Sequence, residues 1–484
     1  MRTHGDRAVA AHTMKRELTL TARLGGPLAL GELGWMSTYI VDAIMVGRMP
    51  HSALSISASS LGNTIYYAIA FGLIGLMTGV ETLVAQSYGR GDHADCTRTL
   101  AQSMWFVILG TPVVMLSTIG CIPLLARFGT SPEIVAETSR YLHALIWSTA
   151  PLLLYMAFRR YLQSIDRVTL IMVSLVTANV VNLVGDWALL YGHLGFRAMG
   201  IAGSGWATCV VRLYMVALLT VGIWRGFRVS GEPRDSLDSK ANRSGLSLRM
   251  LWPDFGRLGT LARIGWPNAL ELLADLGVST YMSVLCARLG ETMLAAHQVV
   301  LDLDAFVYMV PAGLAYATVV RVGQSAGRGS LPQVRRSATA SLVLGMGFIT
   351  LAALAFAGLP HLWASIYTND QAVIATAAPI FFICGFLQIG DAANVILSYA
   401  LIGLGDTRTP MLVNVGWYWA IGMPLSYWLA FEGGFALRGL WFGRAFAAIG
   451  SALTLVVLWH LRLRRAEMSD RPDAGVVFSP MHAK

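Results

Sequence analysis

Long apolar stretches, separated by short polar loops, run through almost the whole of this sequence. Each has about 18 residues or more, enough for a helix that rises about 1.5 Å per residue to cross a hydrocarbon core of about 30 Å. The alternation typical of a β-barrel is not visible, and only helices satisfy every backbone group of such a stretch. We predict an all-α membrane protein with twelve spanning helices, over residues 24–47, 53–80, 100–122, 138–160, 168–190, 199–223, 262–287, 293–320, 337–358, 372–398, 409–430 and 438–461.

Composition and charge agree with a multi-pass protein of the lipid bilayer. Of the 484 residues, 55% are hydrophobic and only 13% are charged, against about 25% charged in soluble domains. The net charge is +9, but Lys and Arg lie between the apolar stretches and form no stripe with interleaved aromatic residues, so we expect no nucleic-acid partner. They are concentrated on the side of both termini. The positive-inside rule therefore predicts cytoplasmic termini in an inner or plasma membrane protein.

An internal repeat divides the chain into two halves. Three short motifs occur twice in the same order, at offsets of 240, 242 and 238 residues: 23–27 with 263–267, 37–39 with 279–281, and 86–91 with 324–329. Six helices per repeat is an even number, so both halves enter the membrane from the same side. We predict two parallel six-helix repeats around a central cleft. Alternating access by rocking one bundle against the other is one hypothesis, and the repeat alone would fit a channel equally well.

The repeat and the polar loops give predicted domain boundaries. These are a cytoplasmic tail (1–23), a first six-helix bundle (24–223), a hydrophilic linker (224–261), a second bundle (262–461) and a second cytoplasmic tail (462–484).

The first bundle contains a polar stripe inside an apolar helix. Asn179, Asn182 and Asp186 are spaced by three, four and seven residues, so they share one helical face; Asp42 lies in the first apolar stretch. Ionisable side chains at bilayer depth are expensive, which makes these residues a functional-site hypothesis. Their oxygens suit a proton or a small hard cation, possible sodium ligands being Asp42, Asn182 and Asp186. Two structural alternatives are a clasp between helices at Asn182 and Asp186, and an Asp42 side chain that reaches the outer surface.

The second bundle offers its own acids. Glu271 and Asp275 are four residues apart on one face of the seventh helix, and Asp391 lies in the tenth. Neighbouring carboxylates resist ionising together, which makes them plausible proton carriers. Glu271 could instead pair with Arg263, about two turns earlier.

Other intramembrane residues receive weaker assignments. Pro27 removes a backbone donor from the first helix and is a candidate hinge. We regard four side chains as candidate cavity lining: His297 and Asp304, which share a face, Asp302, which points elsewhere, and Trp417. Glu32, a lone acid, and Glu81, which we place exposed at the cytoplasmic end of the second helix, receive no role.

Two common motifs of nucleotide and metal chemistry are absent from the sequence. The sequence has no GxxxxGK[ST] phosphate loop and no HExxH, so we predict neither enzymatic activity nor a cofactor. Its 5 cysteines form no CxxC pair and no cluster with histidine, so we expect no zinc site. Energy for transport would then come from an ion gradient or from a partner.

With these residues in hand, the chain resembles the multidrug and toxic compound extrusion (MATE) family over about residues 20–460. The motifs that carry the resemblance are Val-Asp-Ala-Ile-Met-Val-Gly-Arg at 41–48, Arg-x-Gly-x-Pro at 263–267, Leu-Ala-Ala-His-Gln at 294–298, Pro-Ala-Gly at 311–313 and Arg-Val-Gly-Gln at 321–324.

The resemblance implies an outward-pumping antiporter for organic cations and other amphipathic compounds, driven by protons or sodium. It implies a cation site at Asp42, Asn182 and Asp186, with Thr208 in the sixth helix. The family's acids in the second half correspond to Asp275, where Glu is usual, and to Asp391.

One further departure from the family pattern concerns the coupling ion. A tyrosine usual four residues before the acid of the tenth helix is Leu387 here. Together with the aspartate in the seventh helix, this favours protons over sodium. The alternative function is a flippase for a lipid-linked saccharide or lipid, but the mostly acidic intramembrane charges favour small cationic substrates. We expect the protein to function as a monomer.

Overall fold

A computed structural model describes residues 4–49, 52–127, 129–229 and 252–469, and within these ranges the chain is helical, without strands. Most of the predicted linker and second tail, and the first residues of the predicted first tail, lie outside the described residues. The twelve spanning helices are α1 (His4–Gly47), α2 (Ser52–Gly89), α3 (His93–Arg127), α4 (Pro132–Ser164), α5 (Val168–Leu189), α6 (Ile201–Val229), α7 (Phe255–Leu289), α8 (Glu291–Gly327), α9 (Leu331–Gly358), α10 (Gln371–Gly403), α11 (408–432) and α12 (Ala436–Ser469). The predicted fold class is confirmed.

Several spans depart from a regular α-helix. Within the described residues, 10 helices are long and apolar enough to cross a membrane; the other two spans are α1, which begins with polar residues, and α11. Two π-helical segments, Gly416–Gly422 and Trp428–Glu432, interrupt α11, and a 3₁₀ turn, Ile146–Ser148, interrupts α4. A short helix, Pro360–Tyr367, connects α9 to α10.

Two compact units make up the structure, and both boundaries between them lie inside a helix. The first-repeat unit is Leu30–Ala269, and the second-repeat unit joins α1 up to Ala29 with the chain from Leu270 onwards. Each boundary lies just after a proline within a continuous helix, Pro27 in α1 and Pro267 in α7. α1 and α7 therefore each contribute to both units. The domain boundary predicted within 224–261 stays a prediction.

In the first-repeat unit, small residues bring the backbones of α2 and α7 into contact. A Cβ atom added to Gly75 would lie 2.3 Å from the Cα of Ala269, and one added to Gly265 would lie 2.1 Å from the carbonyl oxygen of Leu76. Glycine and alanine allow membrane helices to approach this closely. The first half of α7 is thereby held against α2.

The second-repeat unit uses the same contact between α8 and α1. A Cβ atom added to Gly313 would lie 2.4 Å from the backbone nitrogen of Ala29. Gly313 follows Gly75 by 238 residues, and Ala269 follows Ala29 by 240, which are offsets of the repeated motifs. The sequence repeat is therefore also a repeat of helix packing.

Polar groups fix the start of α7 within the first-repeat unit. The side-chain amide of Gln102 donates to the Trp252 carbonyl at 2.8 Å and accepts from the Asp254 backbone N–H at 2.9 Å. The Arg257 backbone N–H donates to the Asp254 carboxylate, and the Arg98 guanidinium lies 2.7 Å from it. These two groups hold the pKa of Asp254 below its ordinary value.

Two buried ion pairs tie α4 to its neighbours. Arg160 donates to Glu81, which also accepts from Gln163, and Arg159 donates to Glu32. The expectation that Glu81 is exposed is wrong: the side chain is fully buried. The reason is that α2 continues beyond the predicted end at residue 80, which places Glu81 inside the bundle.

Replacing Gly75 by Val should destabilise the protein, because the new side chain would overlap the Ala269 backbone. We expect a loss of about 2 kcal/mol or more, measured as a lower midpoint of thermal unfolding in detergent. Gly72→Val is the matched control, since a Cβ at Gly72 meets nothing within 4 Å. Equal midpoints for the two variants would contradict this account of the contact.

Glu81→Leu should destabilise the protein by roughly 3–5 kcal/mol, because it leaves the Arg160 guanidinium buried without its carboxylate. The double variant Glu81→Leu, Arg160→Met should recover much of the loss, since no unpaired charge remains. Unfolding in detergent measures both, and Glu133→Leu, at an exposed acid, is the control. A double variant no more stable than Glu81→Leu would refute the pairing argument.

Candidate functional site

The central feature of the first-repeat unit is an asparagine that joins two carboxylates. Asn182 and Asp186 lie one turn apart on α5, and each is only 1% exposed. The side-chain Nδ2 of Asn182 donates to Asp42 of α1 and, at 3.1 Å, to Asp186. The spacing in the sequence and the acid of the first helix thus meet at one place, which we call the Asp42–Asp186 site.

One oxygen of this site has no partner among the described residues. Asp186 Oδ1 is buried and accepts no hydrogen bond. A buried carboxylate oxygen without a donor costs free energy, and this cost disappears when the oxygen binds a proton or a cation. Asp42 is half-buried, so the site combines an enclosed acid with a more accessible one.

The other two predicted members of the site bond elsewhere. Asn179 donates to the Gly34 carbonyl at 2.9 Å and accepts from the Thr38 hydroxyl at 3.1 Å, which holds α5 against α1. Thr208 donates to the Ser204 carbonyl of its own helix at 3.0 Å. The structure therefore brings together Asp42, Asn182 and Asp186, with Asn179 and Thr208 outside their hydrogen bonds.

A buried arginine near the site received no role from the sequence. Arg212, on α6, is 4% exposed and donates to the hydroxyls of Tyr66 and Tyr67 at 2.9 and 3.0 Å. Its guanidinium lies 5.2 Å from the Tyr66 ring centre, and it interacts electrostatically with Asp42. None of the described carboxylates forms an ion pair with it. A lone arginine within an apolar stretch was the available signal, but its tyrosine partners lie on another helix.

In the second-repeat unit, Glu271 is held by an amide. The side chain of Asn414 on α11 donates to one oxygen of Glu271, and the other oxygen, Oε2, is buried without a partner. Asn414 in turn accepts from Asn394 of α10 at 2.7 Å. Asp275, one turn further along α7, is exposed and makes no hydrogen bond or ion pair with the described residues.

Asp391 accepts a hydrogen bond from a tyrosine on α11, whereas the family pattern has its tyrosine on α10. Tyr418 of α11 donates to Asp391, while the family's tyrosine position on α10 holds the fully buried Leu387. Arg444 of α12 lies 3.7 Å from Asp391 and 3.5 Å from Asp304. Sequence reasoning missed Arg444 and Tyr418, because neither is near an acid in the sequence.

The candidate lining residues differ in their surroundings. Asp304 is buried and accepts from Gln388 at 3.2 Å, so it lies in the same cluster as Arg444. Asp302 accepts from Tyr367 and Gln298 instead.

The two candidate aromatic lining residues pack against other rings. His297 is fully buried, with its ring 5.6 Å from that of Trp441. Trp417 donates to the Thr454 hydroxyl at 3.0 Å and contacts the Phe446 ring. Pro27, the candidate hinge, lies inside the continuous helix α1.

The described residues contain no group of three or more His, Cys, Asp or Glu side chains that could hold a metal ion. The Asp42–Asp186 site contributes two carboxylates and one carboxamide, which is a different donor set.

Comparisons with known proteins agree with this architecture. The family model MatE matches residues 27–188 and 267–428, one range within each of the two repeats. The "Probable multidrug resistance protein NorM" of Rhizobium meliloti is 32% identical over 461 residues, covering 93% of this chain and 94% of its own length. The multidrug resistance protein PmpM of Pseudomonas aeruginosa is 29% identical over 475 residues, covering 95% and 96%.

Solved structures share the fold. The crystal structure of the eukaryotic MATE transporter AtDTX14 matches with a TM-score of 0.80 at 19% sequence identity, covering 94% of this chain and 99% of that one. Two matched repeats, twelve spanning helices and relatives aligned along nearly their whole length place this chain in the MATE family of multidrug efflux transporters.

Proposed function

We propose that this protein exports organic cations and other amphipathic compounds in exchange for protons, by alternating access between the two sides of the inner membrane. The observation that carries the proposal is the Asp42–Asp186 site, where one amide holds two intramembrane carboxylates together. Such a pair loses one negative charge when it binds a proton and regains that charge when the proton leaves. Both termini would lie in the cytoplasm, and the protein would act as a monomer.

The arrangement of Asn182 supports protons over sodium. Its amide nitrogen, a donor, faces both carboxylates, whereas a sodium ion between them would require oxygen ligands. A proton needs only one free oxygen, and Asp186 Oδ1 is such an atom. Sodium remains the alternative coupling ion, and the gradient experiment below distinguishes the two.

The acids of the second-repeat unit support cationic substrates. Four acids of this unit lie on spanning helices: Glu271, Asp275, Asp304 and Asp391. Among the described residues, Arg444 is the arginine that pairs with any of them, and it pairs with two. An excess of carboxylates favours a cationic ligand over an anionic one. A lipid-linked pyrophosphate, the substrate expected of a flippase, would instead be repelled.

Exchange requires that proton and substrate favour different conformations. A ligand shifts the balance between inward-facing and outward-facing states only by its difference in affinity for the two. Protonation of the Asp42–Asp186 site would remove a negative charge from the first-repeat unit, and Pro27 is the candidate place at which α1 bends in response.

Asp42→Asn should abolish export driven by a proton gradient, because the amide cannot exchange a proton at this site. The protein should still fold and insert, since Asn can hydrogen-bond Asn182. Drug accumulation in cells and gradient-driven transport in proteoliposomes measure the effect, with the exposed Glu133→Gln as control. Export at wild-type rates would move the coupling site to Asp275 and Asp391.

Purified protein in proteoliposomes should accumulate a fluorescent organic cation such as ethidium when the lumen is acidic, and not when only a sodium gradient is imposed. The physical reason is the proton site described above. Uptake driven by sodium alone would make sodium the coupling ion. Absence of uptake under either gradient would contradict drug export and favour the flippase, to be tested with lipid-linked saccharides.

A further inference from the structure

Arg444 is a charged residue within the acid cluster of the second-repeat unit. Its Nη2 atom lies 3.5 Å from Asp304 on α8 and 3.7 Å from Asp391 on α10. The guanidinium also lies 5.4 Å from the ring centre of Trp441, one turn earlier on α12. Two carboxylates from different helices therefore share one permanent cation.

The position of Arg444 in the repeat follows from helix contacts near the starts of α6 and α12. A Cβ added to Gly203 of α6 would lie 2.5 Å from the carbonyl oxygen of Leu189, at the end of α5. A Cβ added to Gly439 of α12 would lie 2.6 Å from the carbonyl carbon of Leu429, near the end of α11. The two glycines are 236 residues apart and make the same contact.

A second contact has the same offset. Ala207 of α6 packs against Gly185 of α5, its Cβ 3.3 Å from a Cβ added to that glycine. Gly443 of α12, again 236 residues later, packs against Ser426 of α11, whose backbone nitrogen would lie 2.5 Å from an added Cβ. Two contacts, one turn apart, thus align α12 with α6 as equivalent helices of the two repeats.

In this alignment Arg444 corresponds to Thr208, since both follow their glycine by five residues. The first repeat thus has a neutral hydroxyl at this position, whereas the second repeat has a permanently charged guanidinium.

The charge balance of the cluster depends on this residue. Arg444 offsets one of the two charges of Asp304 and Asp391. Glu271 is bonded only through an amide, and Asp275 is exposed without a partner among the described residues. Within this cluster, the carboxylates without a cationic partner among the described residues are therefore those of α7, while Asp304 and Asp391 together keep one net negative charge.

We propose that Arg444 is an internal counter-cation that limits how many positive charges a substrate of the second-repeat unit can carry. A monocation would be received by the acids of α7, whereas a second positive charge directed at Asp391 would meet the guanidinium. This inference rests on the proposed function as an exporter of organic cations, and it adds a residue that determines specificity.

The test compares two probes that share a phenanthridinium ring system, the monocation ethidium and the dication propidium. Gradient-driven uptake into proteoliposomes gives kcat/KM for each. Arg444→Gln should raise the ratio of propidium to ethidium by about tenfold or more, since one elementary charge at short range has an effect of this order in a partly screened site. Arg444→Lys keeps the charge and should keep the ratio within about twofold of wild type.

Charge-compensating variants make the test independent of how well Arg444→Gln folds. Asp304→Asn leaves Arg444 with Asp391 alone and should lower the ratio below the wild-type value. The double variant Asp304→Asn, Arg444→Gln removes one charge of each sign and should return the ratio to near wild type. A general structural effect would change uptake of both probes together and leave the ratio unmoved.

Unchanged ratios in Asp304→Asn and Arg444→Gln would overturn the inference, as would an equal rise in Arg444→Lys and Arg444→Gln. If the wild-type protein transports ethidium but these ratios do not move, the proposed function stands and this role of Arg444 fails. If the wild type transports neither probe under either gradient, the proposed function itself fails, and the role of Arg444 with it.

Discussion

A charge inside a membrane must be neutralised by groups of the same protein, and this requirement orders much of the structure. Glu81 with Arg160, and Glu32 with Arg159, meet it as closed ion pairs that join α1 and α2 to α4. The Asp42–Asp186 site meets it differently, through one neutral amide, which leaves a buried oxygen unpaired. The first kind of contact stabilises the fold, and the second leaves a charge available to change.

The repeat preserves packing more strictly than it preserves chemistry. Gly75 and Gly313 make equivalent backbone contacts with Ala269 and Ala29, and no larger residue fits where backbones touch. Side chains that face the interior are under a different constraint, since only their summed charge and hydrogen bonds must balance. Two similar scaffolds can therefore hold different sites, an amide-bridged acid pair in one unit and an acid cluster with a guanidinium in the other.

The sequence predicted what helical periodicity determines. The length of the apolar stretches predicts twelve spans, and the constant offset between the repeated motifs predicts two repeats. The spacing of four residues places Asn182 and Asp186 on one helical face. Periodicity does not determine which groups of a neighbouring helix lie opposite a face. Asn179 lies on the same stripe as Asn182 and Asp186, yet its side chain donates to the α1 backbone. Glu81 was misplaced because its burial depends on α2 continuing past its apolar stretch and meeting Arg160 on α4.

Asp391 shows why a departure from a family motif need not remove the chemistry. Leu387 occupies the usual tyrosine position on α10, yet Tyr418 supplies a hydroxyl to Asp391 from the π-helical part of α11. With Arg444 nearby as well, the lone pairs of Asp391 are directed at donors within the protein. A carboxylate so occupied must break these contacts before it can bind a metal cation, whereas Asp186 keeps an oxygen without a donor. This difference in available lone pairs is the physical reason for assigning ion coupling to Asp186 rather than to Asp391.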